Sequence, residues 1–304
     1  FVSARKCTAD GKGAKEATAG DLATFAIQAR DQFSNVLTRG GFSFFVLVQD
    51  ARALRRQTCT DAGTGLYDCT YMTTIAGSLT LSITSSNAHI LGSPFNVPVR
   101  PNRFNATTTL VSGLGSAMDV ATAGQRSTLI MTARDFLGNY LDTGFTNFVV
   151  AIGPTNSGET LPNCGNMPTG TLVCYEVTDF FNGTYTIPYV ATGSGKYTIR
   201  LDHYYTVGVP SRVAGSPFDL QVVAADVSAK TSKVDLPSGY ACVGSTGTCG
   251  LVSTAFPVTI KLQDVYGNLL LSSASASVYV EHNNLQTVLF DGFVTDGVVA
   301  LTLV

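Results

Sequence analysis

The chain has no tryptophan, only 3 histidines and few charged residues, which make up 13% of its 304 residues. Its 19 Lys and Arg residues stand against 21 Asp and Glu residues, so the formal net charge is -2. A chain so close to neutral lacks the cationic surface that nucleic-acid phosphates require and the charge excess of a disordered acidic tail. Its apolar runs are only a few residues long, whereas a spanning helix needs about 20. We expect no nucleic-acid partner and no membrane insertion of this segment.

The sequence also lacks the residue groups that perform catalysis or hold cofactors. His89, His203 and His282 are scattered, whereas a hydrolytic triad needs a base beside a nucleophile and an acid. No glycine-rich phosphate-binding motif follows a strand and opens a helix, and calcium-type acidic clusters are sparse. We therefore predict that the protein is not an enzyme and has no cofactor and no metal site.

The cysteines are few but regularly spaced. Six of the 7 form close pairs, and each pair flanks turn residues, so a hairpin would bring its two sulfur atoms within bonding distance. Zinc binding is the alternative, but the sequence has no Cys-x-x-Cys motif. We predict local disulfides, and hence an oxidising compartment, between Cys59 and Cys69, Cys164 and Cys174, and Cys242 and Cys249. Cys7 would be free or paired outside this segment.

Two N-glycosylation sequons agree with a secretory origin. They are Asn105-Ala-Thr107 and Asn182-Gly-Thr184. Such a sequon marks a surface loop when the protein is secreted. We predict N-linked glycans at both asparagines, although a neighbouring repeat could shield Asn105.

The sequence repeats itself at fixed spacings. An Ala-Gly pair and an Asp-x-x-x-Asn turn recur after 104 residues, the turn recurs again after a further 129, and a Gly-Ser-Pro-Phe element occurs twice. The copies are Ala19-Gly20 and Ala123-Gly124; the turns Asp31–Asn35, Asp135–Asn139 and Asp264–Asn268; and the elements Gly92-Ser93-Pro94-Phe95 and Gly215-Ser216-Pro217-Phe218.

Apolar and polar residues alternate along most of the chain, as in Phe25, Ile27 and Ala29 before the first turn. This period of two predicts strands, and no segment of helical length has a helical apolar stripe. About seven short strands per repeat are typical of an immunoglobulin-like sandwich. The antibody type is excluded, because the chain has no Trp and no cysteine on the strands that carry the inter-sheet bridge. We predict an all-β fold of tandem immunoglobulin-like β-sandwich domains.

The order of the motifs resembles the filamin-type immunoglobulin repeat: Ala-Gly, a strand ending in Arg-Asp-x-x-Gly-Asn, Phe-x-Val, Gly-x-Tyr and Gly-Ser-Pro-Phe-x-Val. The resemblance implies repeats at residues 1–103, 104–227 and 228–304, the last incomplete. It also implies protein partners, or copies of the chain itself, bound through sheet edges and loops. The Cys59–Cys69 bridge would alter or block such an edge in the first repeat. Bacterial surface adhesins made of immunoglobulin-like repeats share the turn and are the nearest alternative.

The motif residues have structural explanations. The three turn aspartates would accept backbone N–H bonds, and Gly138 and Gly267, before the asparagines of the second and third turns, would allow a positive φ. Calcium binding between repeats is the alternative role of these aspartates. Pro94 and Pro217 would begin an edge strand, where a missing N–H costs nothing. Phe95 and Phe218 would fill the sandwich core, each burying about 150 to 200 Å².

The third repeat stops early. Counted from the turn aspartate, residues 299–303 correspond to its fifth strand, so two strands and the Gly-Ser-Pro-Phe element would be missing. Such a sandwich would have an open core and unpaired edges. We expect the protein to continue beyond Val304, with strand donation by another chain as the alternative. Phe1 in place of Met also suggests a processed or partial chain.

The linkers at residues 100–105 and 224–232 are short, which predicts a semi-rigid array. We predict a non-enzymatic structural or assembly module of an extracellular or cell-surface glycoprotein, within a larger filament or appendage such as a cilium. A cell or gamete adhesion receptor is the alternative, and a cytoplasmic filamin-like scaffold is the third. The one basic cluster, Arg52, Arg55 and Arg56, is interpreted as a solvated loop face, with docking of an acidic partner or glycan as the alternative.

Overall fold

The structure is a computed structural model of the 304-residue chain. It describes residues 1–112, 120–144, 147–155, 164, 172–206, 209–235, 256–271, 274–282, 285–294 and 296–303. The described residues form an all-β protein, as the alternating pattern predicts. Among them, no helix is long and apolar enough to cross a membrane.

The first repeat is a sandwich of two sheets. Its strands are β1 Thr8–Asp10, β2 Ala17–Thr18, β3 Ala23–Gln28, β4 Phe45–Gln49, β5 Leu54–Gln57, β6 Cys59–Asp61, β7 Leu66–Tyr71, β8 Gly77–Ser85, β9 Ala88–His89 and β10 Phe95–Arg100. Short 3-10 helices lie at Ala4–Lys6 and Lys12–Ala14. One sheet has the order β1-β3-β7-β6 and the other β2-β10-β8-β4-β5, with β9 paired to β8.

The second repeat has the same two-sheet plan in its described residues. Its strands are β11 Leu110–Ser112, β12 Val120–Thr122, β13 Arg126–Thr132, β14 Phe148–Pro154, β15 Leu172–Cys174, β16 Thr178–Asp179, β17 Thr184–Ala191, β18 Gly195–Thr206, β19 Val209–Arg212 and β20 Phe218–Val223. One sheet has the order β11-β13-β17-β15, with β16 on β17, and the other β12-β20-β18-β14, with β19 on β18.

The third repeat contains five strands in its described part: β21 Lys233–Asp235, β22 Phe256–Lys261, β23 Ala274–His282, β24 Leu285–Val294 and β25 Val298–Leu303. They form the sheets β21-β22-β25 and β23-β24. Strand β25 pairs with β22 as β7 pairs with β3, so it occupies the position that the sequence predicts for the fifth strand. The register is one residue earlier than predicted. Val299, not Ala300, stands opposite Ile260, as Tyr67 stands opposite Ile27, because the connection from the turn is one residue shorter.

The alternating pattern places one face of each strand in the core. In β3, for example, Ala23, Phe25 and Ile27 are buried and Thr24 is exposed. Each repeat has its own cluster of buried apolar side chains, between its two sheets in the first two repeats. In the described residues of the third repeat this cluster is small, with five buried members: Val258, Ile260, Leu262, Val294 and Val299.

One glycine occupies the same place in all three repeats, just before the strand that pairs with β3, β13 or β22. It is Gly65, Gly183 or Gly297, and each has a positive φ. Its carbonyl accepts an N–H bond from the residue directly after the neighbouring strand, as Gly183 does from Ala133 at 2.8 Å. A Cβ on Gly183 would lie 2.3 Å from the carbonyl oxygen of Leu141. Both the backbone angle and the close approach therefore require glycine.

We expect Gly183→Ala to lower the free energy of unfolding of the second repeat by about 3 kcal/mol, from left-handed strain plus a clash with backbone. Gly138→Ala is the matched control, because Gly138 also has a positive φ, 85°, but a Cβ there would meet nothing within 4 Å. It should cost only about 1 kcal/mol. Denaturant unfolding of both variants measures the difference. Equal losses would show that the approach to Leu141 has no effect.

Candidate functional site: the junctions between repeats

The Asp-x-x-x-Asn turn is a self-contained unit of hydrogen bonds. In the second repeat, one carboxylate oxygen of Asp135 accepts the backbone N–H groups of Leu137 and Asn139, each at 2.9 Å. The other accepts the side-chain amide of Asn139 at 2.8 Å. The turns at Asp31 and Asp264 contain the same bonds. The aspartates therefore cap their turns, as the sequence predicts.

The same carboxylate also holds the linker that leads into the repeat. The backbone N–H of Asn102 donates to Asp135 at 2.9 Å, and that of Ala225 donates to Asp264 at 2.9 Å. A threonine hydroxyl, from Thr108 or Thr231, bonds the carbonyl oxygen of the aspartate. Asp135 and Asp264 are completely buried by these contacts. Each linker is thereby fixed to the turn of the repeat that follows it.

The turn asparagine reaches across to the preceding repeat. The Asn139 side chain donates to the carbonyl of Thr74 at 3.0 Å, and its oxygen accepts the N–H of Ala76 at 3.0 Å. Asn268 does the same at the second junction. It donates to Thr192 at 2.7 Å and accepts from Ser194 at 2.8 Å. A side-chain amide that pairs with a carbonyl and an N–H two residues apart fixes both the position and the orientation of the contact.

The Ala-Gly pair of one repeat is the surface, called the floor of the junction, against which the turn of the next repeat packs. A Cβ on Gly20 would lie 3.0 Å from Leu137 of the next repeat, and one on Gly124 would lie 2.0 Å from the hydroxyl of Tyr266. Asn102 also donates to the carbonyl of Ala19 at 2.6 Å. In the sequence this pair is a repeat marker without an evident role. Its signal was present, because it recurs after 104 residues, as does the turn of the same repeat.

The structure changes two predictions about the Gly-Ser-Pro-Phe element, one for its proline and one for its phenylalanine. Strand β10 lies between β2 and β8, and β20 lies between β12 and β18, so neither is an edge strand over its whole length. The parallel partner reaches only residues 99–100 of β10 and 221–223 of β20, so Pro94 and Pro217 precede an end that is paired on one side. They precede the first paired residue, so no ladder bond is lost. Each follows a cis peptide bond.

The phenylalanines of this element are the second correction. Phe95 and Phe218 are only partly buried and pack against the edge of the core, not inside it. A Cβ on Gly92 would lie 3.0 Å from the ring of Phe95, and one on Gly215 would lie 2.9 Å from that of Phe218. The glycine therefore makes room for the ring.

The serine of this element has a role that the sequence pattern does not reveal. The hydroxyl of Ser93 accepts the backbone N–H of Ile83 at 2.8 Å, and that of Ser216 accepts the N–H of Leu201 at 2.9 Å. Each serine thus satisfies an N–H group of the neighbouring strand where the ladder ends.

The fold, the turns and the order of the elements agree with a known family. Residues 2–96 match the family model of the Filamin/ABP280 repeat. These residues form a filamin repeat. The match covers about a third of the chain. The described residues of the second repeat form two corresponding sheets, without a strand in the position of β5, and make the same Asp, Gly and Gly-Ser-Pro-Phe contacts.

Solved structures with similar folds include the adhesin FdeC and the protein InvD. FdeC of Escherichia coli has a TM-score of 0.54 and 18% identity, over 92% of this chain and 81% of that chain. InvD of Yersinia pseudotuberculosis has a TM-score of 0.50 and 18% identity, over 99% of this chain and 85% of that chain. Identities this low show the fold alone. No curated protein sequence matches the chain.

The cysteines of the first two repeats are paired. Cys59 is bonded to Cys69, and Cys164 to Cys174. The prediction for Cys242 and Cys249 falls outside the described residues. Cys7 is free and fully buried, and burial raises the pKa of its thiol.

The first disulfide lies where the chain crosses from one sheet of the first repeat to the other. Strand β5 pairs along β4 and occupies its outer edge, and the chain then crosses to the other sheet as β6. Cys59 stands directly opposite Cys69 in the β6–β7 ladder, so the bridge anchors this crossing. A partner strand cannot pair with β4 while β5 is in place.

The histidines, considered above as candidates for catalysis, do not form a common site in the described residues. His203 is buried against the ring of Phe104, with ring centroids 4.4 Å apart, and burial lowers its pKa. His89 bonds the hydroxyl of Ser93 at 2.9 Å, and His282 lies in β23. The described residues contain no group of three His, Cys, Asp or Glu side chains that could hold a metal ion.

The three arginines of the basic cluster make different contacts in the structure. Arg55 forms a salt bridge with Asp50 at 2.6 Å, and Arg56 lies over the ring of Phe45 at 4.6 Å. Arg52 lines an open cleft of about 610 Å³ beside the first junction. The three guanidinium groups therefore do not share one ligand position.

The predicted glycan positions differ in exposure. Asn182 is exposed, and its side-chain oxygen accepts the N–H of Thr184 at 3.0 Å. Asn105 is half-buried next to the first junction, and its oxygen accepts both the N–H and the hydroxyl of Thr107.

Acid should weaken the second junction. Burial raises the pKa of Asp264, but the bonds from the Asn268 side chain and from the backbone of Ala225, Asn268 and Tyr266 outweigh it, so the pKa lies below its usual value of 3.8. A lowered carboxyl pKa adds stability that is full above the unfolded-state value and is lost as the pH falls through the folded-state value. We expect Asp264→Asn to cost about 1 to 3 kcal/mol at pH 7, because its amide N–H groups face other donors.

The stability gap between the parent and Asp264→Asn should narrow as the pH falls below about 4. Calorimetric unfolding between pH 7 and pH 2 measures this gap. Asp226→Asn removes the same charge at an exposed position near the junction and should change stability little at any pH. A gap that stays constant with pH would contradict the role assigned to the carboxylate.

Proposed function

We propose that this chain is a non-enzymatic, semi-rigid array of immunoglobulin-like repeats that acts as a structural or assembly module of an extracellular or cell-surface glycoprotein. Its task is to set the distance and angle between whatever lies at its two ends, within a larger filament or appendage. The proposal depends most on one observation, the use of the same set of contacts at both junctions.

That repetition is what a spacer requires. Consecutive domains of one chain move relative to each other by default unless the interface between them is extensive. Here the linker N–H, the turn asparagine and the Ala-Gly floor connect each pair of repeats, through Asn102 and Asn139 at the first junction and Ala225 and Asn268 at the second. Bonds in several directions restrict both bending and twisting.

The disulfides support an oxidising location. Bonds of this kind persist in secreted and surface proteins and are rare in the cytosol. The pairs Cys59–Cys69 and Cys164–Cys174 therefore argue against a cytoplasmic scaffold. A ciliary appendage is one extracellular setting that such an array would suit.

Adhesion is the second candidate function. The structural neighbours FdeC and InvD support it, since FdeC is described as an adhesin and both share the fold over most of this chain. In that case the array would carry a recognition surface away from the cell, and the semi-rigid junctions would serve the same spacing role.

Asn139→Ala should loosen the first junction. Spin labels on Thr80→Cys and Lys196→Cys, at exposed positions of the first and second repeats, report their separation. We expect a narrow distance distribution in the parent and one about twice as wide in Asn139→Ala, because the linker alone behaves as a short flexible tether.

Two controls match this variant. Asn35→Ala removes the same turn bond in the first repeat, and Asn268→Ala acts at the other junction. Neither should widen the distribution. A parent distribution as wide as that of Asn139→Ala would contradict the semi-rigid array.

Glycosylation provides a separate test of the secretory assignment. When the chain is produced in a eukaryotic secretory system, we expect a glycan at Asn182 and lower occupancy at Asn105, which the first junction partly covers. Intact mass before and after glycosidase treatment measures occupancy, and Asn182→Gln and Asn105→Gln assign each shift. Absence of a shift at both positions would contradict the glycoprotein assignment.

A further inference from the structure

The turn of the first repeat, Asp31–Asn35, is built like the two turns that dock onto a preceding repeat. Asp31 accepts the N–H groups of Phe33 at 2.9 Å and Asn35 at 2.8 Å, and the Asn35 side chain donates to it at 2.9 Å. The internal geometry of all three turns is therefore the same. Only the surroundings differ, since Asp135 and Asp264 are fully buried whereas Asp31 is half-buried.

The apolar residue of this turn is also exposed. Phe33 holds the position of Leu137 and Tyr266, the two residues that lie against Gly20 and Gly124 at the junctions. Its side chain is 75% exposed. Tyr266, which does contact the preceding repeat, is 47% exposed, so Phe33 leaves more of its surface uncovered than its counterpart at a junction.

The linker position can be located as well. The backbone N–H of Ser3 donates to Arg30, as that of Asn105 donates to Arg134 and that of Ser228 to Gln263, so these three residues are equivalent. The donors Asn102 and Ala225 stand three residues before Asn105 and Ser228. The equivalent position for Asp31 is the one directly before Phe1.

We propose that the Asp31–Asn35 turn is a docking site for another immunoglobulin-like repeat, which it engages as the second and third repeats engage those before them. The partner must offer a glycine floor like Gly20, for the ring of Phe33. It must also offer a carbonyl and an N–H two residues apart, like Thr74 and Ala76, for the side chain of Asn35. This inference extends the proposed function, since it assigns a third junction of the same kind.

The chain itself supplies suitable partners for the test. We add residues 1–102 directly before Phe1 of the full chain, which places Asn102 in the donor position. Spin labels on Thr80→Cys in the added copy and in the original first repeat report their separation. We expect a distribution as narrow as that between Thr80 and Lys196 in the parent, and one about twice as wide when Asn35→Ala is introduced into the original first repeat.

A second added repeat keeps the test valid if the first added repeat does not fold. Residues 104–225, added before Phe1, present the floor at Gly124 and the pair Thr192 and Ser194, with Ala225 in the donor position. Non-reducing peptide mapping shows whether either added repeat has formed its disulfide. A folded added repeat with a wide distribution overturns the inference, and so does a narrow distribution that Asn35→Ala leaves unchanged.

The test separates this inference from the proposed function. If the parent distribution across the first junction is itself wide, the semi-rigid array is wrong. If that distribution is narrow and only the added junction is loose, the array stands and the docking role of Asp31–Asn35 is wrong.

Discussion

The junctions depend on one buried carboxylate in each turn. Asp135 and Asp264 each accept bonds from their own turn, from the turn asparagine and from the incoming linker, and each is completely buried. A buried charge is tolerated only when its acceptor sites are filled. The carboxylate therefore makes the turn, the linker and the asparagine interdependent. At these two junctions, removing any one of them would leave a buried aspartate under-bonded.

The turns are carried by a filamin-type sandwich, in which a disulfide holds the crossing from one sheet to the other in the first repeat. In the first repeat, β5 covers the outer edge of β4 in one sheet, and β6 joins the other sheet. The segment from β5 to β6 therefore connects the two sheets at the side of the core. The Cys59–Cys69 bond holds the crossing in place.

Much of the fold follows from the sequence because its signals are local. Alternation with a period of two specifies strands, the turn aspartate needs only its next four residues, and cysteines ten residues apart around a turn meet across one hairpin. The prediction that Phe95 fills the core was wrong, because the local sequence shows only a large aromatic residue after proline, a pattern that favours a core position. Its position over Gly92 depends on how the strand enters the sheet, which the local sequence does not specify.

The sequence by itself determined the all-β class, the three repeats of the turn and the pairing of Cys59 with Cys69 and Cys164 with Cys174. Only the tertiary structure decided that Asn139 and Asn268 face the preceding repeat, and that Gly20 and Gly124 receive the turn. It also placed the Pro94 and Pro217 strands inside their sheets. The reason is physical. Capping bonds join residues a few positions apart, whereas Asn139 and Ala76 are 63 residues apart and meet only once two complete sandwiches are stacked.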